Sequence, residues 1–235
     1  MAAILQIDVH QVHGISVVGS LFGEEILLDD AGEKGDIPAQ IRILEELTAD
    51  PYHASFFEQD RLAQLYEESG ENEKLKQLLI AILLRSERDD PEKLEQLRSL
   101  CTEKQYIPVR EEWLEKHPKR KPLVYSREGL YDRLIECLKE EKIETVDNYL
   151  HMLKDKYPNE LAEIYVKALD RMTYEHPCAP LYERMEKYIS RALTIPGIKE
   201  PLKKTMDAWK QDYSTRKSLM TLIADTERQL AKRKK

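Results

Sequence analysis

Chemistry in this chain would have to come from a few histidines, cysteines and carboxylates, because the sequence has no glycine-rich phosphate loop, serine nucleophile elbow or two-cysteine zinc knuckle. His10 and His13 lie three residues apart, a spacing that can share a metal on a helix. No neighbouring cysteine or carboxylate completes that ligand set. His176 and Cys178 could in principle form an activated thiol pair, but nothing recognisable surrounds them. The residues therefore predict no catalytic site, no metal site and no cofactor.

The other titratable residues are expected to be structural. Cys101 and Cys137 fall on apolar stripes, where cysteine behaves as a small hydrophobe. Three widely spaced cysteines argue against a disulfide framework and favour a reducing, cytoplasmic compartment. The adjacent pairs Glu111-Glu112 and Glu140-Glu141 point in different directions on a helix, so neither pair is expected to work as an acid–base couple.

Composition favours a helical protein with narrow apolar stripes. Of 235 residues, 41% are apolar and 34% are charged, which suits helices that each bury one stripe and leave the rest solvated. Only 8 residues are glycine, too few for a sheet protein with many tight turns. The net charge of −7 disfavours binding to nucleic acid. No apolar run reaches the ~18 residues needed to cross a bilayer, so no membrane association is expected.

A repeated pattern of tyrosine, glycine and leucine predicts helical hairpins. Tyr66 and Tyr125 each precede a glycine, Gly70 or Gly129, by four positions and a leucine by nine. A further leucine follows each glycine after nine residues. Glycine can take a positive φ at a helix C-terminus, and the leucine spacing fits one face of the next helix. The pattern therefore predicts a helix, a tight turn and a second helix at both places.

The same pattern extends upstream and sets the expected architecture. Gly35 precedes Gly70 by 35 residues, close to the period of about 34 in tetratricopeptide repeats. We therefore expect an all-α array of antiparallel helical hairpins, which is a tetratricopeptide-like α-solenoid. The array is expected to divide into an N-terminal half, residues 1–118, and a C-terminal half, residues 119–235.

Three segments are less regular than the rest. Residues 1–35 fit two alternatives, either a short strand pair in which Leu5 to Val9 alternate, or a helix that begins after about residue 20. Pro108 is expected to open a short helix, because proline is favoured in the first turn. Lys119 to Pro122 is expected to form a loop between the two halves.

Tyrosine is concentrated in the second half, which makes that half the expected binding region. The chain has 12 tyrosines, and nine of them lie between Tyr125 and Tyr213. Tyrosine suits both the joints between stacked helices and the aromatic anchors of an interface. The residues predicted to contact a protein or peptide on the concave face of the array are Tyr125, Tyr131, Tyr149, Tyr165, Tyr182, Arg120 and Lys121.

Several motifs in the second half occur in an order that is shared with a known family. They are Trp113-Leu114, Leu123 to Leu138 with Arg127-Glu-Gly129-x-Tyr131, Tyr157-Pro158 to Leu169, Tyr182-x5-Tyr188-Ile189, Ile195-Pro-Gly197 and Tyr213-x-x-Arg216-x-x-Leu219-Met220. Over roughly residues 105–222, this order resembles the C-terminal helical region of bacterial SWIM zinc-finger proteins.

The resemblance does not extend to the family's zinc motif, in which Cys-x-Cys is followed by Cys-x-His, because this chain has no Cys-x-Cys. It therefore implies a helical portion separated from the zinc module, and it transfers no zinc ligand to any position here. The expected function is a non-catalytic scaffold that binds a protein or peptide. The alternative is a regulatory, nucleic-acid-associated module that uses Arg120, Lys121 and the basic tail Lys232–Lys235. An enzyme with an all-helical pocket is a third reading.

Overall fold

The computed structural model describes Leu28 and residues 31–49, 54–85 and 89–232, and within these ranges the chain forms helices and turns but no strand. The all-α prediction is confirmed for this part of the chain. The alternating segment Leu5 to Val9 and the pair His10 and His13 lie outside the described residues. The chain divides into two compact units between Pro118 and Lys119.

Five helices in the described part of the first unit pack around an apolar core. They are α1 (Ile37–Leu47), α2 (Phe56–Ser69), α3 (Asn72–Arg85), α4 (Pro91–Leu100) and α5 (Glu103–Lys116). Helices α1, α2, α3 and α4 pack in succession, and α5 packs on both α3 and α4. The side chains of Leu44, Leu65, Leu79, Leu97 and Trp113, one from each helix, are completely buried.

The predicted turns at Gly70 and Gly129 are present, and their hydrogen bonds explain the tyrosine–glycine spacing. Gly70 has φ +73°, and its N–H donates to Glu67 O while the next N–H, of Glu71, donates to Tyr66 O at 2.9 Å. Gly129 has φ +71° and makes the same pair of bonds, with the Leu130 N–H donating to Tyr125 O at 2.9 Å. This is a Schellman turn, in which the tyrosine position supplies the carbonyl that the helix end leaves unpaired.

The leucines of the repeated pattern lie in the core as expected. Leu75, Leu79, Leu134 and Leu138 are each 1% exposed or less. At the upstream turn, where glutamine stands in the place of the first leucine, Gln40 is also buried. Its Nε2 lies 3.4 Å from Ala31 O, and its Oε1 accepts a bond from Arg61 at 3.0 Å. A buried polar side chain is tolerated there because both ends of the amide are hydrogen-bonded.

The prediction that Pro108 opens a helix is wrong, because α5 begins five residues earlier, at Glu103. The Thr102 N–H donates to Gln105 Oε1 at 3.2 Å, which fixes the start of the helix there. Pro108 therefore lies inside α5 and removes one helical hydrogen bond. Burial of Tyr106 and Trp113 on the same helix offsets that loss.

The expected loop at Lys119 to Pro122 is also wrong, because this segment is helical. A 3-10 turn spans Pro118–Arg120, and the first helix of the second unit begins at Lys121. Pro122 occupies the first turn, where its missing N–H costs no hydrogen bond. Val124 and Tyr125 bury the apolar face of this short helix.

The second unit contains α6 (Lys121–Arg127), α7 (Tyr131–Leu138), α8 (Ile143–Leu153), α9 (Pro158–Met172), α10 (Ala179–Ala192), α11 (Lys199–Asp212) and α12 (Lys217–Lys232). Helices α6 to α10 pack in succession, as an array of hairpins predicts. The order changes after α10, because α11 packs on α9 and α12, while α10 also packs on α12. These contacts close a ring of four helices, α9–α10–α12–α11, in place of a further simple hairpin.

Candidate functional site

Two of the predicted partner-binding tyrosines are core residues. Tyr165 on α9 is completely buried, and Tyr125 on α6 is 7% exposed. The Tyr165 hydroxyl donates to Asp147 Oδ1 on α8 at 2.7 Å, and Arg191 Nε on α10 lies 3.7 Å from the other carboxylate oxygen. Burial first, and then the Asp147 carboxylate, raise the pKa of Tyr165 far above its ordinary value. A partner that docks on the folded surface would not reach these two rings.

The other predicted residues are partly exposed, and two of the tyrosines are engaged by their own neighbours. The Lys156 ammonium lies over the Tyr131 ring, 4.3 Å from its centroid. Tyr149 is half-buried and forms a hydrogen bond with Ser126, and burial raises its pKa. Tyr182 is also half-buried. Arg120 and Lys121 are half-buried at the start of the second unit, in the turn that leads into α6.

The second unit has a groove between α9 and α11, which we call the α9/α11 groove. It encloses about 720 Å³. This volume falls within the range of ~300–1,000 Å³ that is typical of ligand-binding sites. Its apolar lining comes from small or short side chains: Ala162 and Val166 on α9, and Pro201 and Ala208 on α11. Because alanine ends at Cβ, facing alanines on neighbouring helices leave space that larger side chains would fill.

A tryptophan in the core holds the two walls of the groove together. The Trp209 indole Nε1 on α11 donates to Asp170 Oδ1 on α9 at 2.9 Å, and the Trp209 side chain is 1% exposed. Just beyond, the Arg216 guanidinium donates to Thr173 O at 2.6 Å and stacks over the Tyr213 ring at 4.3 Å. These bonds join residues about 40 positions apart in the chain. The groove therefore results from specific contacts between the helices of the four-helix ring.

An exposed aromatic residue lies beside the same carboxylate. Tyr174 follows the end of α9 and is 73% exposed. The negative charge of Asp170, and then the neighbouring Tyr213, raise the pKa of Tyr174 above its ordinary value, which indicates that these groups are close together. An exposed aromatic ring next to a carboxylate that lines the groove is a suitable anchor for a partner.

The rim of the groove carries charges of both signs. Glu163, Lys167, Asp170 and Lys204 line it, together with Asn159 and Thr205. The Thr205 hydroxyl donates to Pro201 O at 3.1 Å, so its proton is already committed to the backbone. Lys167 and Lys204 are exposed, and neither makes an ion pair within the described part of the chain. The groove thus combines an apolar floor with a charged rim.

Among the residues considered above for chemistry, the three cysteines lie in the described part of the chain. Cys101 and Cys137 are half-buried free thiols, whereas Cys178 is exposed at the start of α10. Burial raises the pKa of Cys137 to about 11, which keeps this thiol protonated and unreactive at neutral pH. Over the described ranges, no group of three or more histidine, cysteine and carboxylate side chains is arranged to hold a metal ion.

Sequence reasoning missed the groove, since its floor is made of residues that carry no chemical signal. Ala162 and Ala208 are ordinary helix formers, and Lys167 and Lys204 look like solvated surface residues in the sequence. Only the packing of α11 on α9 brings them together.

Comparison with known proteins adds no relative. No family model matches the chain, and neither a curated protein nor a solved structure shows significant similarity to it. The resemblance to the helical region of SWIM zinc-finger proteins therefore stays a prediction that rests on its motifs. Among the described helices, none combines the length and the apolar character needed to span a membrane.

Proposed function

We propose that this protein is a non-catalytic helical scaffold, related in design to tetratricopeptide arrays, that binds a protein or peptide segment through the α9/α11 groove. The groove itself is the observation that carries the proposal. The groove is one defined site in the second unit, whereas the sequence suggested a broader surface of tyrosines as the binding region. Tyr174 would serve as an anchor at one end of it.

The composition of the groove supports peptide binding over a chemical reaction. Its floor is apolar, so a short apolar side chain of a partner can be covered by Ala162, Val166 and Ala208. The polar groups around it belong to flexible lysines and to carboxylates, which orient a bound segment through its own charges. Recognition of a segment between two helices is a recurrent mode of peptide binding.

The test is a substitution that fills the groove with a large side chain, compared with the same substitution elsewhere on the surface. Ala208→Trp places a large side chain at an exposed position of the groove wall, and Ala224→Trp places the same side chain at an exposed position of α12 outside the groove lining. Peptides selected from a display library on the wild-type protein are then measured against both variants by fluorescence anisotropy. Circular dichroism verifies that each variant is folded.

We expect Ala208→Trp to weaken peptide binding by more than about tenfold, which corresponds to about 1.4 kcal/mol. Ala224→Trp should leave the affinity unchanged. Peptides that bind both variants equally well, or a selection that recovers no peptide sensitive to Ala208→Trp, would overturn the assignment of the groove as the binding site.

A further inference from the structure

The two helices that form the walls of the α9/α11 groove run in the same direction. The Trp209 indole donates to Asp170 Oδ1 at 2.9 Å, and each of these residues lies in the last turn of its helix. Arg216, which follows α11, donates to the carbonyl oxygen of Thr173, which follows α9. Because the C-terminal ends of both helices meet at one end of the groove, the groove is a channel between two parallel helices.

The residues that line the groove recur about once per helical turn on both walls. On α9 they run from Asn159 to Asp170 at spacings of three or four residues, and on α11 they run from Pro201 to Ala208. The distance along α9 from Asn159 to Asp170 is about 16 Å, at 1.5 Å per residue. Helix side chains form ridges with the same one-turn spacing, so the ridges of a third helix can pack between those of α9 and α11.

The floor of the groove favours a helix over an extended segment, because its apolar residues offer no hydrogen-bond partner. The residues that have no polar side-chain atom are Ala162, Val166, Pro201 and Ala208. The hydroxyl proton of Thr205 is already committed to Pro201 O at 3.1 Å. The backbone groups along both walls are used within the helices themselves. An extended segment would therefore leave buried N–H and C=O groups without partners, whereas a helix pairs its own.

The charged rim of the groove has no net sign. Two acids and two lysines line it: Glu163, Asp170, Lys167 and Lys204. Each lysine also has an acid one turn before it on its own helix, since Glu163 precedes Lys167 by four residues and Glu200 precedes Lys204 by four. Residues at this spacing are neighbours on a helix surface. Charge complementarity therefore selects an occupant with both signs along its flanks, and neither an acidic nor a basic one.

We infer that the partner segment is an amphipathic α-helix, with one apolar stripe that packs along the floor of the groove and residues of both charges on its flanks. This inference rests on the proposed function of the groove. Ala162 and Ala208 leave room for larger side chains from the partner, so we expect leucine, isoleucine or methionine at one-turn intervals along its stripe. A helix of about three turns covers the ~16 Å length of the groove.

The experiment uses three pools of fluorescent synthetic peptides, each about 14 residues long. In the helix pool, apolar residues recur every three or four positions, and lysine and glutamate occupy both flanks. The strand pool has the same composition, reordered so that apolar and charged residues alternate. The proline pool differs from the helix pool by one central proline. Each pool, and a single-stranded oligonucleotide, is measured by anisotropy against the wild-type protein, Ala208→Trp and the control Ala224→Trp.

The helix pool should bind most tightly, and the central proline should weaken binding by about a hundredfold, because it disrupts a helix interior to about that extent. Ala208→Trp should weaken binding of the helix pool by more than about tenfold, and Ala224→Trp should leave it unchanged. The affinity should change little with salt, since salt screens the attractions and repulsions of a balanced rim together. In NMR spectra, an isotope-labelled peptide of the helix pool should show helical backbone shifts when it is bound to the wild-type protein.

Other outcomes distinguish the helical partner from the groove itself. Binding of the strand or proline pool that is as tight as that of the helix pool, and is lost in Ala208→Trp, overturns the helical partner but keeps the groove. Backbone shifts of an extended chain in the bound peptide do the same. Oligonucleotide binding that is lost in Ala208→Trp and falls steeply with salt overturns the peptide assignment. If no pool responds to Ala208→Trp, both the helical partner and the groove are overturned.

Discussion

Replacing Tyr165 with phenylalanine removes one hydroxyl from the middle of the second unit and leaves its shape unchanged. The ring is completely buried, and the hydroxyl donates to Asp147 Oδ1 at 2.7 Å, across the contact between α9 and α8. The variant therefore isolates a single hydrogen bond between two helices. It also separates the structural role of this tyrosine from the partner-binding role that the sequence suggested.

The expected loss of stability follows from the surroundings of the two groups. A hydrogen bond to a charged acceptor contributes about 1.5–3 kcal/mol. The Asp147 side chain is only 12% exposed, so water replaces the lost hydroxyl poorly. Arg191 remains 3.7 Å from the carboxylate after the substitution. Its side chain is 56% exposed, so water screens its attraction to Asp147 and it replaces little of the lost hydrogen bond. We expect Tyr165→Phe to lower the free energy of unfolding by about 2 kcal/mol.

The assay needs a signal that reports the second unit alone. The chain has two tryptophans, Trp113 in the first unit and Trp209 in the second, so a Trp113→Phe background leaves Trp209 as the reporter. Urea unfolding followed by tryptophan fluorescence should show a midpoint about 1 M lower in Tyr165→Phe, for a slope of about 2 kcal/mol per M. Tyr182→Phe is the matched control, because the half-buried Tyr182 makes no hydrogen bond described in this unit.

The pH dependence of the free energy of unfolding tests the role of the Tyr165 hydroxyl independently. The pKa of Tyr165 is raised in the folded protein, so the folded state keeps its proton where the unfolded chain loses it. Stability is therefore fully present below the unfolded pKa of about 10 and falls as the pH rises above it. Tyr165→Phe should make this alkaline loss less steep. Equal stabilities of Tyr165→Phe and Tyr182→Phe at neutral pH, with equal alkaline slopes, would refute the reasoning.

Three further changes test the turns, the core and the thiols. Gly70→Ala should lower the free energy of unfolding by about 1 kcal/mol, because the φ of +73° disfavours any side chain, although no atom lies within 4 Å of the added Cβ. Gly32→Ala is the control, since Gly32 is exposed and has no positive φ. It should leave the free energy of unfolding unchanged or raise it slightly in the same urea titration. Leu138→Ala should lower stability by about 2–5 kcal/mol, since the side chain is completely buried; a loss below about 1 kcal/mol would contradict its place in the core. In a thiol titration at mildly alkaline pH, Cys178 should react first, because it is exposed, and Cys137 last, because its pKa is about 11; the reverse order would contradict the described burial.

Local rules account for the parts of the fold that the sequence predicted well. The turns at Gly70 and Gly129 depend on hydrogen bonds that span five residues, and the helix start at Pro91 depends on Asp90, whose carboxylate accepts from the Lys93 N–H at 3.1 Å. Such contacts lie within one or two turns of the chain, so residue types and spacing are enough to predict them. The helix at Pro108 was misplaced for a related reason, since proline marks a first turn only when no better cap lies upstream.

The amino-acid sequence by itself determined that this protein is helical over the described ranges, that helices end at Gly70 and Gly129, and that the leucines after these turns face inward. It did not determine which helix packs on which, and so it left the α9/α11 groove and the burial of Tyr165 undecided. Those features depend on contacts such as the hydrogen bond between Trp209 on α11 and Asp170 on α9. The whole of α10 lies between these two helices in the chain. An apolar stripe specifies that a helix face is buried, whereas the shape and charge of all the competing faces decide what covers it.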